Sequence, residues 1–149
     1  QIKKIILIYS FMLYKNLIIT EDFLNKNPNS YFVFGDNLER FGYGGAAALR
    51  DHPRAYGFIT KKFPDNKSSS FYEPNEYAPV FFEELNKLIN LIDKNKNKIF
   101  YISKIGSDLA NKYRIWESLI HHNLIDKLKN YKNVILCWEE EKLSIKNNF

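Results

Sequence analysis

Glycine is used sparingly in this chain and in a pattern that suits phosphate chemistry. Of six glycines, four fall within the stretch Gly35-Asp-Asn-Leu-Glu-Arg-Phe-Gly-Tyr-Gly-Gly45. Gly35, Gly42, Gly44 and Gly45 let the backbone come close to an anion, so that N–H groups of the loop and of the following Ala46 can point at phosphate oxygens. Asp36 and Asn37 in the same stretch are candidates for ribose hydroxyls or for an Asx-type turn. Arg40 is a candidate phosphate partner, because its guanidinium fits two oxygens at once. A second glycine-bearing segment, Lys104-Ile-Gly-Ser-Asp-Leu109, offers Ile105, Gly106, Ser107 and Leu109 as a second cradle, with Asp108 as a carboxylate beside it. One such loop is as consistent with a tight turn as with a site. Two at the same sheet edge suit a diphosphate. Lys61 ends an apolar run and would be a nucleophile only as a neutral amine, whereas paired with Lys62 it also reads as a solvated strand end.

These residues need elements to hold them. Short β-rich runs at Leu17–Ile19, Tyr31–Phe34, Tyr56–Thr60, Ile99–Ser103 and Val134–Trp138 alternate with helical patterns. Gly45–Asp51 reads as a short Ala-rich helix. Val80–Asp93 and Arg114–Lys129 carry apolar residues at i, i+3, i+4 spacing. The alternation predicts one α/β domain over residues 1–149, a three-layer α/β/α sandwich around a mixed, mostly parallel sheet. Both glycine-bearing loops then follow strands, and in open α/β sheets ligands sit at the carboxyl ends of strands. Pro64–Pro79 is the longest loop-like stretch, and its aromatic residues are candidates to cover a base. Trp116 reads as core, and Glu117 as a group that serves the first turns of the last helix.

Composition narrows the partners. A formal net charge of +5 and a pI near 9.1 favour an anionic ligand. The lysines are interleaved with asparagines, as in Asp93–Lys98 and Asp126–Lys132, and no Arg-rich stripe is present, which argues against a dedicated nucleic-acid groove. A single cysteine, Cys137, allows no intrachain disulfide, and the histidines suggest no metal site, since the adjacent His121 and His122 point in different directions on a helix and His52 stands alone; no cofactor is called for. Lys3 and Lys4 followed by the apolar run Ile5–Tyr14 imitate a signal peptide, but the run is too short to span a bilayer and no small-residue cleavage site follows. Residues 1–14 are therefore expected to be peripheral or upstream of the native start, and the expected location is cytoplasmic, without a membrane partner.

The order of strand, Asn-containing glycine loop, helix, strand, Ile-Gly-x-x-Leu loop, Trp-Glu helix and final strand resembles the macrodomain superfamily. Within it, the branch containing the terminal ADP-ribose protein glycohydrolase is the most similar. The resemblance runs from about Leu17 to Trp138. It implies binding of ADP-ribose or of an ADP-ribosylated macromolecule. Asp22 then stands where macrodomains hold the adenine amino group, Asn37 and Gly42–Ala46 match the loop around the distal ribose and a phosphate, and Gly106–Leu109 matches the second phosphate loop. Trp138 falls near the aromatic that packs beside the adenosine. The run Ile59-Thr60-Lys61-Lys62 is similar to the strand whose first lysine is the nucleophile, which makes Lys61 the candidate catalytic residue. The branch's second loop reads Gly-x-Gly-Leu-Asp, with its aspartate as acid/base. Here Asp108 replaces the second glycine, and Ala110 or Asn111 stands at the aspartate position. Three readings stay open: hydrolysis at the distal ribose with Lys61 and a shifted Asp108, a non-catalytic ADP-ribose reader, and, from the charge alone and less favoured, a basic module that binds nucleic acid.

Overall fold

A computed structural model of the chain describes residues 13–138. Of the N-terminal segment, residues 1–12 lie outside these bounds, and the last two residues of its apolar run, Leu13–Tyr14, form β1. The other strands are β2 (Ser30–Asn37), β3 (Ala55–Lys61), β4 (Ile99–Ile102) and β5 (Val134–Leu136). They form a five-stranded sheet in the order β1-β5-β4-β2-β3. Every strand pair is parallel, so the expected mixed character is confined to one antiparallel bridge between Lys61 and Phe71.

Alternation along β2 builds the layers, because successive side chains leave opposite faces. Phe32 and Phe34 pack with Leu24, Ile19, Tyr101 and Ile135 on one side. Val33 joins the larger core on the other, with Phe58, Phe100, Ile102 and the helical residues Phe81, Leu85, Leu88 and Leu124. Helix α1 (Glu21–Lys26) covers the first face, N-capped by Thr20, whose hydroxyl accepts from the Phe23 N–H at 3.1 Å. Helices α2 (Pro74–Lys94) and α3 (His121–Leu128) cover the second. The expected three-layer α/β/α architecture is thus present.

Element boundaries moved for identifiable reasons. Leu17–Ile19 is not a strand, because Leu13–Tyr14 already pair with Ile135 and Leu136 on the short β5. Only Ile19 of that run turns into the core. Gly45–Leu49 forms a 3₁₀ turn rather than an α-helix. Helix α2 begins at Pro74, six residues before the expected Val80. Pro74 occupies a first-turn position that needs no N–H donor. Pro79 is tolerated because the fully buried Tyr77 and Phe81 anchor the added turns. The last helical segment starts as a π turn, Trp116–Ile120, and continues into α3.

Strand β3 is one of the two outer strands, and side chains close its free edge. The Glu84 carboxylate, buried on α2, accepts from the Ile59 N–H at 2.7 Å, and the Tyr77 hydroxyl donates to the Ile59 carbonyl at 2.5 Å. Arg40 donates to the Gly57 carbonyl at 2.8 Å. An edge that would otherwise template further strand pairing is thereby capped. No helix among the described residues is long and apolar enough to cross a membrane.

Candidate functional site

The strand order places a switch point between β2 and β4. The chain leaves β2 for β3 on one side, and leaves β4 for β5 on the other, so the loops after these neighbouring strands diverge. Divergence opens a crevice at their carboxyl ends. A cleft of about 400 Å³ occupies it, within the size range of small-molecule sites. Its walls are the loop after β2, the loop after β4 and the end of β3 at Thr60 and Lys61.

All of the residues expected from the sequence line this cleft except Asp22, Arg40 and Trp138. Asp22 lies on the exposed first turn of α1 and pairs with Lys26 at 3.0 Å. Trp138 is buried in the core, edge-on to Trp116 at 5.4 Å between ring centroids, so it is a packing residue rather than an aromatic wall. Arg40 is drawn to Asp36 at 3.1 Å and to the Gly57 carbonyl, beside rather than in the cleft.

The first loop is built around a buried carboxylate. The Asp36 side chain, 2% exposed, accepts from the Asn37 N–H at 2.8 Å and pairs with Arg40 and, at 2.7 Å, with Arg50. Its oxygens are committed to the protein, so Asp36 shapes the loop instead of gripping ribose hydroxyls. Gly57 makes room for this network: a Cβ there would lie 2.3 Å from Asp36 Oδ2 and 2.8 Å from an Arg40 nitrogen. Asn37 staples the loop, donating to the Phe41 carbonyl at 2.8 Å and accepting from the Glu39 N–H at 3.0 Å. Gly42 and Gly45 have φ of 104° and 58°, which other residues reach only at a cost. The N–H groups of Gly44, Gly45 and Ala46 make no hydrogen bond among the described residues.

The second loop is tighter. The Ser107 hydroxyl and N–H both donate to the Lys104 carbonyl, at 2.6 and 3.2 Å. Gly106 has φ of 75° and lies against Ile120, so no side chain fits there. Asp108 takes ordinary negative φ and is exposed. Its carboxylate makes no hydrogen bond or ion pair among the described residues. Asn111 faces away from the cleft, accepting from the Trp116 N–H at 3.0 Å and donating to Glu117 at 2.6 Å, so it caps the π turn. Ala110, the other residue at the expected aspartate position, lines the cleft without a functional group.

Lys61 lines the cleft from β3, with its ammonium 4.7 Å from the centre of the Phe71 ring. Lys62 turns the other way and pairs with Glu76 at 2.6 Å. Phe41 and Leu109, 65% and 69% exposed, stand on the two loops as apolar lips. Sequence reasoning missed Arg50, Lys104 and the Phe41 lip as wall residues, whereas Leu109 was expected there. Arg50 had a signal, since it follows Ala46 by four residues and one helical turn carries it back towards the loop. Among the described residues no cluster of His, Cys, Asp and Glu is arranged to hold a metal ion.

Residues 14–114 match the family of unknown function DUF7831, and the chain belongs to that family. No curated protein and no solved structure matches it.

Proposed function

We propose that this DUF7831 member binds ADP-ribose or a close nucleotide derivative, free or carried on a macromolecule, in the cleft between the two glycine-bearing loops. One observation carries the reading. Two loops from neighbouring strands, far apart in sequence, meet across one cleft at the switch point, and both turn at glycines with positive φ. Unpaired N–H groups in the first loop, with Arg50, Lys61 and Lys104 in the walls, suit the oxygens of a diphosphate. The apolar lips suit the less polar parts of such a ligand. The resemblance to macrodomains supports the same ligand class.

Isothermal titration of ADP-ribose, with AMP as control, tests this. Binding of ADP-ribose well above AMP is the expected result. Equal or absent binding of both overturns the reading.

A hydrolytic reading has one observation in its favour: Lys61 and Asp108 both line the cleft, from different walls. In that scheme the neutral Lys61 amine attacks the anomeric carbon of the distal ribose as its bond to the carried group breaks. Asp108 protonates the departing group and then takes a proton from the water that displaces Lys61, and Asn37 orients the ribose through the loop it staples. The Phe71 ring beneath Lys61 attracts an ammonium, whereas attack needs a neutral amine, so binding without turnover is the preferred reading. Release of ADP-ribose from an ADP-ribosylated substrate, lost in Lys61→Ala, would reverse that preference.

A further inference from the structure

The cleft contains a guanidinium that is held on three sides and open on the fourth. Arg50 Nε donates to the Gly42 carbonyl at 2.8 Å, and one Nη pairs with Asp36 Oδ1 at 2.7 Å. The guanidinium carbon lies 5.4 Å from the centre of the Phe34 ring, which supports one flat face. The side chain is only 12% exposed, and the residue lines the cleft. Its remaining Nη group makes no hydrogen bond among the described residues. Flexible surface arginines lose conformational freedom on binding a ligand, and this one has already lost it.

Charge points the same way. Asp36 carries one negative charge and is contacted by two guanidiniums, Arg40 and Arg50, so the cluster holds one positive charge in excess. Arg40 is half-exposed beside the cleft, whereas Arg50 faces it. An anion seated against the first loop completes the balance and satisfies the free donors.

From this geometry we infer that Arg50 is the anion-reading residue of the cleft, donating from its free edge to a phosphate of the ligand, and that Asp36 is the positioning residue that aims it. The inference rests on the diphosphate reading above and gives it a specificity-determining side chain. Arg40, which the sequence offered for this role, stands beside the cleft and is not part of its lining.

The test uses the intact chain, two probes and two variants. ADP-ribose and inorganic pyrophosphate are titrated into the wild type, Arg50→Lys and Arg50→Gln, and circular dichroism melts establish that each variant is folded. Arg50→Lys keeps the charge and loses the fork, so it remains informative where Arg50→Gln fails to fold. The expected result is wild-type binding of both probes. Arg50→Lys should weaken both by about tenfold, and Arg50→Gln by more, since a charge-assisted contact is lost. Folded variants that bind both probes like the wild type overturn the role of Arg50 and leave the nucleotide reading standing. Wild-type binding of pyrophosphate alone, lost in the variants, supports Arg50 as an anion reader while the ADP-ribose reading fails. Wild-type binding of neither probe overturns both.

Discussion

Substituting alanine at three cleft glycines separates backbone strain from crowding. Gly44 has φ of −73°, and nothing lies within 4 Å of where its Cβ would stand. Gly44→Ala should therefore stabilise the fold by roughly 0.5 kcal/mol, because it narrows the unfolded ensemble without straining the folded one. Gly45 also faces open space, but its φ of 58° is left-handed. Gly45→Ala should cost about 1 kcal/mol from that conformation alone. Gly106 combines both penalties. Its φ is 75°, and a Cβ would lie 2.5 Å from Ile120 Cδ1, with Thr60 Cγ2 and Ile115 Cδ1 at 3.5 and 3.6 Å. The Ile120 methyl is the far end of a side chain, yet Ile120 and Ile115 are fully buried, so it has little space to retreat into. Adding about 1–2 kcal/mol of crowding to about 1 of strain, Gly106→Ala should cost roughly 2–3 kcal/mol. For a domain of this size the gap between Gly44→Ala and Gly106→Ala is then on the order of 10 °C in Tm. Guanidinium unfolding followed by the fluorescence of the buried Trp116 and Trp138 measures the series directly. A Gly106→Ala variant within about 1 kcal/mol of Gly44→Ala would overturn this account, since the second loop then need not be the tight left-handed turn that forms the cleft wall.

The cap on the free edge of β3 and the half-buried Cys137 thiol give two further predictions. Tyr77→Phe removes the donor to the Ile59 carbonyl and should cost about 1 kcal/mol, whereas Glu84→Ala strands the Ile59 N–H and should cost roughly 2 kcal/mol, with more aggregation on heating. Denaturation midpoints and light scattering report both, and a neutral Glu84→Ala would mean that the edge finds another partner. Burial pushes the Cys137 thiol up to about 12 from an ordinary 9.0. It should resist thiol reagents at about pH 8 until the protein unfolds, because the thiolate is the reactive form. The sign for stability follows: the unfolded thiol releases its proton first, so this group's contribution is intact below pH 9.0 and declines as pH rises towards 12. Rapid labelling of the folded protein below pH 9.0, or stability that rises above pH 9.0, would contradict this.

Local chemistry in the sequence carried much of the fold and most of the cleft. The strands at 31–34, 56–60, 99–103 and 134–138 were legible because their apolar runs are short, β-rich and bounded by polar turns. The glycine loops were legible because positive φ leaves few alternatives to glycine, as Gly42, Gly45 and Gly106 bear out. Helix α2 was legible over its amphipathic part but not at Pro74–Pro79, where local breaker signals lost to the burial of Tyr77 and Phe81.

Pairing and packing selected which charged and aromatic groups reach the cleft. Arg40 and Arg50 carry the same group, and the sequence offered only Arg40 as an anion partner. Space beside the Cβ-less Gly57 draws one away, while Phe34 and the Gly42 carbonyl hold the other against the cleft. Trp138 follows a strand and looked like a ligand wall, but its contact with Trp116 puts it in the core. Asp36 read as a ligand group until two guanidiniums claimed its oxygens. Turns and strands follow from short-range conformational preference, which is written into neighbouring residues and can be read without the fold. The partners of a long polar side chain come from elements distant in the chain, and folding alone chooses among them.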